Sequence, residues 1–272
     1  MELFYRELGG GEPIIILHGL YGSSDNWISV GRQLSDRFRV ILVDQRNHGR
    51  SPHSQSHTYH HLAQDLLELT NRLELSNATL VGHSMGGKTA MQFAALYPNL
   101  VKALVVVDIL PTSYRSLDSV GFNQEKVHRS ILSTLSLLRP EMMKTREEID
   151  NSLANGVSDR MVRQFLMKSI KRDEKGVFSW ILNVEGLIQN LDSLMDRISL
   201  NDELNKIAVP TLFIKGETSG YINKEGEEHL NELFSNFKVE IVENAGHWLH
   251  AENPVGFMKV LNNFLKEIYT LS

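Results

Sequence analysis

Six short apolar runs leave this chain few ways to fold. They span 13–17, 40–43, 78–81, 103–107, 211–214 and 239–242; each is four or five residues long and rich in Val, Ile and Leu. Runs this short without polar alternation suit strands buried on both faces, as in a parallel sheet. Helical spacing fills some of the gaps. Tyr59, Leu62, Leu66, Leu69 and Leu73 recur every three or four residues, as do Val255, Met258, Leu261, Leu265 and Ile268 behind Pro254, which is placed to open a helix. The alternation predicts an α/β chain, a mostly parallel twisted sheet flanked by helices on both sides.

The rhythm breaks once, between 107 and 211. Helix-like patterns occupy this stretch at roughly 120–138, 141–153, 159–171 and 185–196, and it holds Met142, Met143, Met161, Met167 and Met195. The strand pattern then resumes. We therefore expect a core formed by 1–110 and 207–272, with a helical cap inserted at 111–206. At 42% hydrophobic and 22% charged residues, the chain has enough apolar material for one such unit.

The strongest local signal is Gly82-His83-Ser84-Met85-Gly86-Gly87. An apolar run leads into it and a helix-forming stretch leads out, the setting of a nucleophile elbow. A sharp strand-to-helix turn pushes the serine hydroxyl clear of the sheet, and glycines two residues to either side avoid collisions. A serine hydroxyl needs a base. His247, in Asn244-Ala245-Gly246-His247-Trp248, follows the last apolar run, at the sheet end where open α/β sheets bind ligands. His250 is the nearest rival and otherwise reads as solvent-facing. His53, His57, His60, His61, His128 and His229 read as surface residues.

The acid should fall between serine and histidine in chain order. Asp108 closes an apolar run, where an unpaired charge would be costly, and it is favoured. Glu217 is the alternative, in the aspartate-free loop Lys215-Gly216-Glu217-Thr218-Ser219-Gly220-Tyr221. Oxyanion donors are expected from the backbone amides of Met85 and of Leu20, the latter in the loop His18-Gly19-Leu20-Tyr21-Gly22. His18 itself reads as a structural hydrogen-bonder. So does the turn-rich loop from Asp44 to Ser51. Trp248 and Tyr21 are candidates for the substrate pocket.

With no cysteine, thiol nucleophiles, disulfides and zinc-thiolate sites are excluded. The histidine pairs lack ligands at metal-binding spacing, so neither metal nor cofactor is expected. A net charge of −5 without a basic block disfavours nucleic acid and membrane partners. Neither a secretory leader nor a spanning segment is legible, and a cytoplasmic location is expected. Nothing in the text fixes an oligomeric state.

Together, His18-Gly19, the run Gly-Leu-Tyr-Gly-Ser-Ser-Asp-Asn-Trp at 19–27, Asp44-Gln45-Arg46-Asn47-His48-Gly49-Arg50-Ser51, Gly82 to Lys88 and Gly246-His247 resemble the α/β-hydrolase superfamily. With Asp108-Ile109-Leu110-Pro111, they resemble the YbfF-type esterases and related mitochondrial α/β-hydrolase domain proteins. That branch carries its acid after the strand preceding the cap, which agrees with Asp108. The resemblance implies hydrolysis of short to medium acyl esters, or of acyl-CoA thioesters, with Ser219 hydrogen-bonding near Asp108. Carbon–carbon hydrolases, perhydrolases or haloperoxidases, menaquinone-pathway lyases and ligand-sensing receptors share the serine elbow and stand as alternatives.

Overall fold

In a computed structural model of the chain, residues 1–115, 124–198 and 206–270 are described. Seven strands form one sheet: β1 (Tyr5–Leu8), β2 (Glu12–Leu17), β3 (Phe38–Val43), β4 (Ala78–His83), β5 (Val101–Val107), β8 (Thr211–Gly216) and β9 (Phe237–Val242). Their spatial order is β1-β3-β2-β4-β5-β8-β9; every neighbouring pair is parallel except β1 with β3. Each of the six apolar runs lies in a strand of this sheet. The pleat divides their side chains between two cores. Ile15, Leu17, Ile41 and Val43 face one side, while Ile14, Ile16, Val40 and Leu42 face the other.

Helices cover both faces. α1 (Ile28–Leu34) and α11 (Pro254–Tyr269) bury Leu34, Phe257, Leu261 and Leu265 in the second core. α2 (Tyr59–Arg72) and α3 (Met85–Leu96) pack on the first. The Thr58 side chain caps α2 by accepting the His61 amide, and Asn253 caps α11 by accepting from Gly256 at 2.9 Å. Strand β1 carries the half-buried sequence Tyr-Arg-Glu-Leu. As an edge strand it needs no apolar run, which is why no run marks it.

Between β5 and β8 lies the inserted region. It contains α4 (Gln124–Leu137), α5 (Arg146–Leu153), α6 (Arg160–Leu166), α7 (Val184–Gln189) and α8 (Leu191–Met195). Positions 120–123 of the first expected helix lie outside the described residues. The region is not wholly helical. The helix expected over 159–171 ends early, and β6 (Ile170–Arg172) pairs with β7 (Phe178–Trp180) as an antiparallel hairpin. Asp173 turns the chain there. Its carbonyl accepts from Gly176, which has φ +84°, and its carboxylate accepts the Val177 amide at 2.8 Å. α9 (Lys224–Leu233) and α10 (Leu249–Glu252) complete the chain. Among the described residues no helix is long and apolar enough to cross a membrane.

Candidate active site

Ser84 occupies the turn from β4 into α3 with φ 52° and ψ −119°, a backbone region costly for a side-chain-bearing residue. Tight crossing enforces the turn. A Cβ on Gly82 would sit 2.3 Å from the Gly86 carbonyl oxygen, and one on Gly86 would sit 2.4 Å from that of Leu17. Met85 follows as the first residue of α3, so its amide belongs to the electropositive end of the helix.

Asp108 ends β5 in a second strained turn, φ 54°, and its amide donates to the Ile214 carbonyl at 2.8 Å. Its side chain is fully buried. Three donors compensate that burial. The Gly216 amide donates to Oδ1 at 3.1 Å, the Ser219 hydroxyl donates to Oδ2, and His247 Nδ1 lies 2.7 Å from Oδ2. Ser219 thus contacts Asp108. Glu217 points elsewhere: its carboxylate accepts the Asn244 amide at 2.7 Å.

His247 follows β9 with a side chain 18% exposed. Tyr221 stacks on its ring, with centroids 4.0 Å apart and planes 20° from parallel. His83 Nε2 donates to the His247 backbone carbonyl at 2.8 Å. Burial, with His247 and His250 nearby, holds His83 well below the usual histidine range, so it is a neutral donor.

Ser84 and His247 line one cavity of about 150 Å³, together with Leu20, Tyr21, His128 and Trp248. Ser84 also borders a smaller hollow of about 20 Å³, room for one water, lined by Lys88, Tyr59 and Tyr114 among others. The loop bearing Leu20 is fixed where the Tyr21 amide donates to His48 Nε2 at 3.2 Å.

Three histidines differ from expectation. His250 is buried and stacked on Trp27 at 4.2 Å rather than solvent-facing. His57 is buried beside Asn47, and desolvation drops it to about 3. His128 lines the cavity, where Tyr21 Oη meets its Nδ1 at 3.1 Å. These placements depend on how distant segments dock, which local polarity does not report. His18 bonds structurally, its Nε2 accepting the Gln45 amide at 3.0 Å. The Asp44 loop is likewise tied inward: Asp44 accepts from Ser24 at 2.6 Å and Arg50 at 2.9 Å.

Sequence reasoning passed over Tyr221 and Lys88. The Lys88 ammonium is buried and donates to the carbonyls of Thr112 at 2.7 Å and Asp196 at 2.6 Å, near the start and end of the insertion. A lysine inside the apolar face of α3 was the available signal.

Residues 12–254 match the family described as alpha/beta hydrolase fold. The chain is 37% identical over 273 residues to the sn-1-specific diacylglycerol lipase ABHD11 of Mus musculus, covering 97% of this chain and 85% of the relative. It is 30% identical over 257 residues to the esterase YbfF of Escherichia coli, covering 94% of this chain and 93% of the relative. Among solved structures, a marine microorganism esterase superposes with a TM-score of 0.91 at 42% identity, covering 97% of this chain and 99% of that one.

Proposed function

The chain belongs to the α/β-hydrolase fold family, in the esterase and lipase branch that includes YbfF and ABHD11, and from that premise we propose that Ser84, His247 and Asp108 form a triad cleaving carboxylic esters or acyl thioesters. The observation that carries this reading is the 2.7 Å contact between His247 Nδ1 and the buried Asp108 carboxylate, beside a cavity that His247 shares with Ser84.

The chemistry follows from that contact. A proton on Nδ1, donated to Asp108, leaves Nε2 with its lone pair free to take the Ser84 proton. The hydroxyl attacks the substrate carbonyl, and the amides of Leu20 and Met85 receive the developing oxyanion. His247 then protonates the departing alcohol or thiol, and water repeats the sequence on the acyl-serine. Asp108 fixes the tautomer and stabilises the imidazolium. Neither metal nor cofactor enters this cycle. Leu20, Tyr21 and Trp248 supply part of the pocket wall. At about 150 Å³ the cavity is below the ~300 Å³ at which drug-sized ligand pockets begin, which favours short to medium acyl groups.

Hydrolysis of p-nitrophenyl butyrate tests the assignment. Ser84→Ala should lower kcat by about 10⁴-fold and abolish fluorophosphonate labelling. Asp108→Asn should cost up to about 10⁴-fold, and Glu217→Gln little. Near-native turnover by Ser84→Ala would remove the reading.

A further inference from the structure

Two polar side chains on α4 border the site without belonging to the triad. Gln124 and His128 stand four residues apart, on one side of the helix. Each lines both the cavity of about 150 Å³ and the hollow of about 20 Å³, and Ser84 lines the same two spaces. Both groups therefore face the room that an ester bound at Ser84 would occupy.

A tyrosine fixes how each group can work. Tyr221 donates its hydroxyl to Gln124 Oε1 at 2.8 Å, which settles the amide's orientation and leaves its NH2 to donate. Tyr21 Oη lies 3.1 Å from His128 Nδ1. Burial keeps the Tyr21 phenol protonated and, with His247 nearby, lowers His128 to about 4, so the ring is neutral and carries one N–H. Among the described residues the buried Tyr21 hydroxyl has no other acceptor, and a buried proton without one is costly. The phenol therefore donates to Nδ1, and the imidazole proton sits on Nε2. No described residue hydrogen-bonds to that Nε2 or to the Gln124 NH2. Two neutral donors are thus left unclaimed beside Val127, Ile131, Val162 and Phe165. The cavity wall holds neither lysine nor arginine to compensate an anion, and Lys88 at the hollow already donates to two carbonyls, so the acceptor these donors fit is uncharged.

We infer that Gln124 and His128 are specificity-determining residues whose N–H groups bind a second, uncharged oxygen of the substrate, an ether, keto or hydroxyl oxygen separate from the ester being cleaved. The inference rests on the triad reading and adds a polar anchor to its pocket. The scissile carbonyl has its own donors in the Leu20 and Met85 amides. An all-alkyl substrate would cover both α4 donors and leave them unpaired, which is how a site rejects an analogue that lacks the acceptor.

Isosteric ester pairs test it. Butyl butyrate and 2-methoxyethyl butyrate differ by one methylene-to-oxygen exchange on the alcohol side, and ethyl butyrate and ethyl methoxyacetate by the same exchange on the acyl side. Comparing the ratio of kcat/KM within a pair between proteins cancels intrinsic reactivity. In one of the pairs the preference for the ether member should fall about tenfold in Gln124→Leu and in His128→Phe, each checked for folding by thermal melt, and the pair that responds tells which side of the substrate is held. Tyr21→Phe keeps the imidazole but releases its tautomer, and should lose part of the same preference. Ratios that stay the same in both α4 variants across both pairs overturn the site, as does an equal loss on the two members of each pair, the mark of a merely structural role. If the unaltered protein cleaves none of these esters, NMR titration with the corresponding amides decides the donors: tighter binding of an ether-bearing amide than of its alkyl partner supports them, and equal affinity, or binding of neither, overturns them. Absence of p-nitrophenyl butyrate turnover as well would mean that the triad reading itself fails.

Discussion

Tyr221 lies flat against the His247 imidazole while its hydroxyl donates to Gln124 Oε1 of α4 at 2.8 Å, so one side chain joins the proposed base to the inserted region. The same tyrosine accepts the Tyr114 hydroxyl on its carbonyl at 2.8 Å, and burial pushes its own phenol far above the physiological range. It is a rigid neutral plate. Its place is set from both sides.

Tyr221→Phe should keep the stacked face and lose only the link to Gln124; kcat/KM on p-nitrophenyl butyrate is expected within about threefold of the unaltered value. Tyr221→Leu removes the plate and frees the imidazole to tilt, and a loss of about tenfold or more, chiefly in kcat, is expected from misplacing the base. Equal kinetics for the two variants would show that the stacking does not position His247.

Ser219 is one of three donors on the Asp108 carboxylate. Ser219→Ala leaves one lone pair of a fully buried anion unsatisfied, and kcat/KM should fall about tenfold, with Ser219→Thr restoring most of it. An unchanged rate in Ser219→Ala would make the contact incidental.

How much of this could be read from the text follows from where each residue gets its constraint. The central strands announce themselves because both faces are buried, which forces unbroken runs such as Val-Ile-Leu-Val at 40–43. Asp108 stands out because a charge ends such a run. Edge strand β1 and the three-residue strands of the β6–β7 hairpin satisfy their backbone groups without long apolar sequences, and so leave no comparable mark. His57, His128 and Tyr221 owe their surroundings to segments far away in sequence. His128, for example, meets Tyr21 only because α4 docks over the loop after β2. No local pattern carries that information.

Arg46 and Asp65 form a doubly hydrogen-bonded pair, 2.6 Å and 2.8 Å, with both side chains almost fully buried. Arg46 also donates to the Ser56 carbonyl at 2.8 Å, binding the loop after β3 to α2. Arg46→Ala leaves the Asp65 carboxylate with only the Met1 ammonium, 3.2 Å away, and a loss of up to about 3 kcal/mol is expected in chemical denaturation. Fluorophosphonate labelling of the still-folded fraction should persist, because the pair does not line the cavity. Loss of labelling with stability retained would place the pair in the catalytic machinery instead.

Lys88 gives the pH dependence a sign. Burial drives its ammonium down from 10.5 to about 7, against the smaller opposing pull of Asp196. In the unfolded chain the lysine keeps its proton to about pH 10.5. Between about pH 7 and that value the unfolded state therefore binds more protons than the folded one, and this residue makes folding stability rise with pH. The gain should approach roughly 1 kcal/mol per pH unit, and it vanishes below about pH 7, where both states are protonated. Lys88→Met deletes this slope, and it also leaves the Thr112 and Asp196 carbonyls without their donor, a cost that does not vary with pH. Between about pH 7 and about pH 9 the denaturant midpoint of the unaltered protein should rise relative to that of the variant. A constant difference would mean that the two carbonyls, together with the Tyr59 and Tyr114 rings facing the ammonium, hold its proton as tightly as water does.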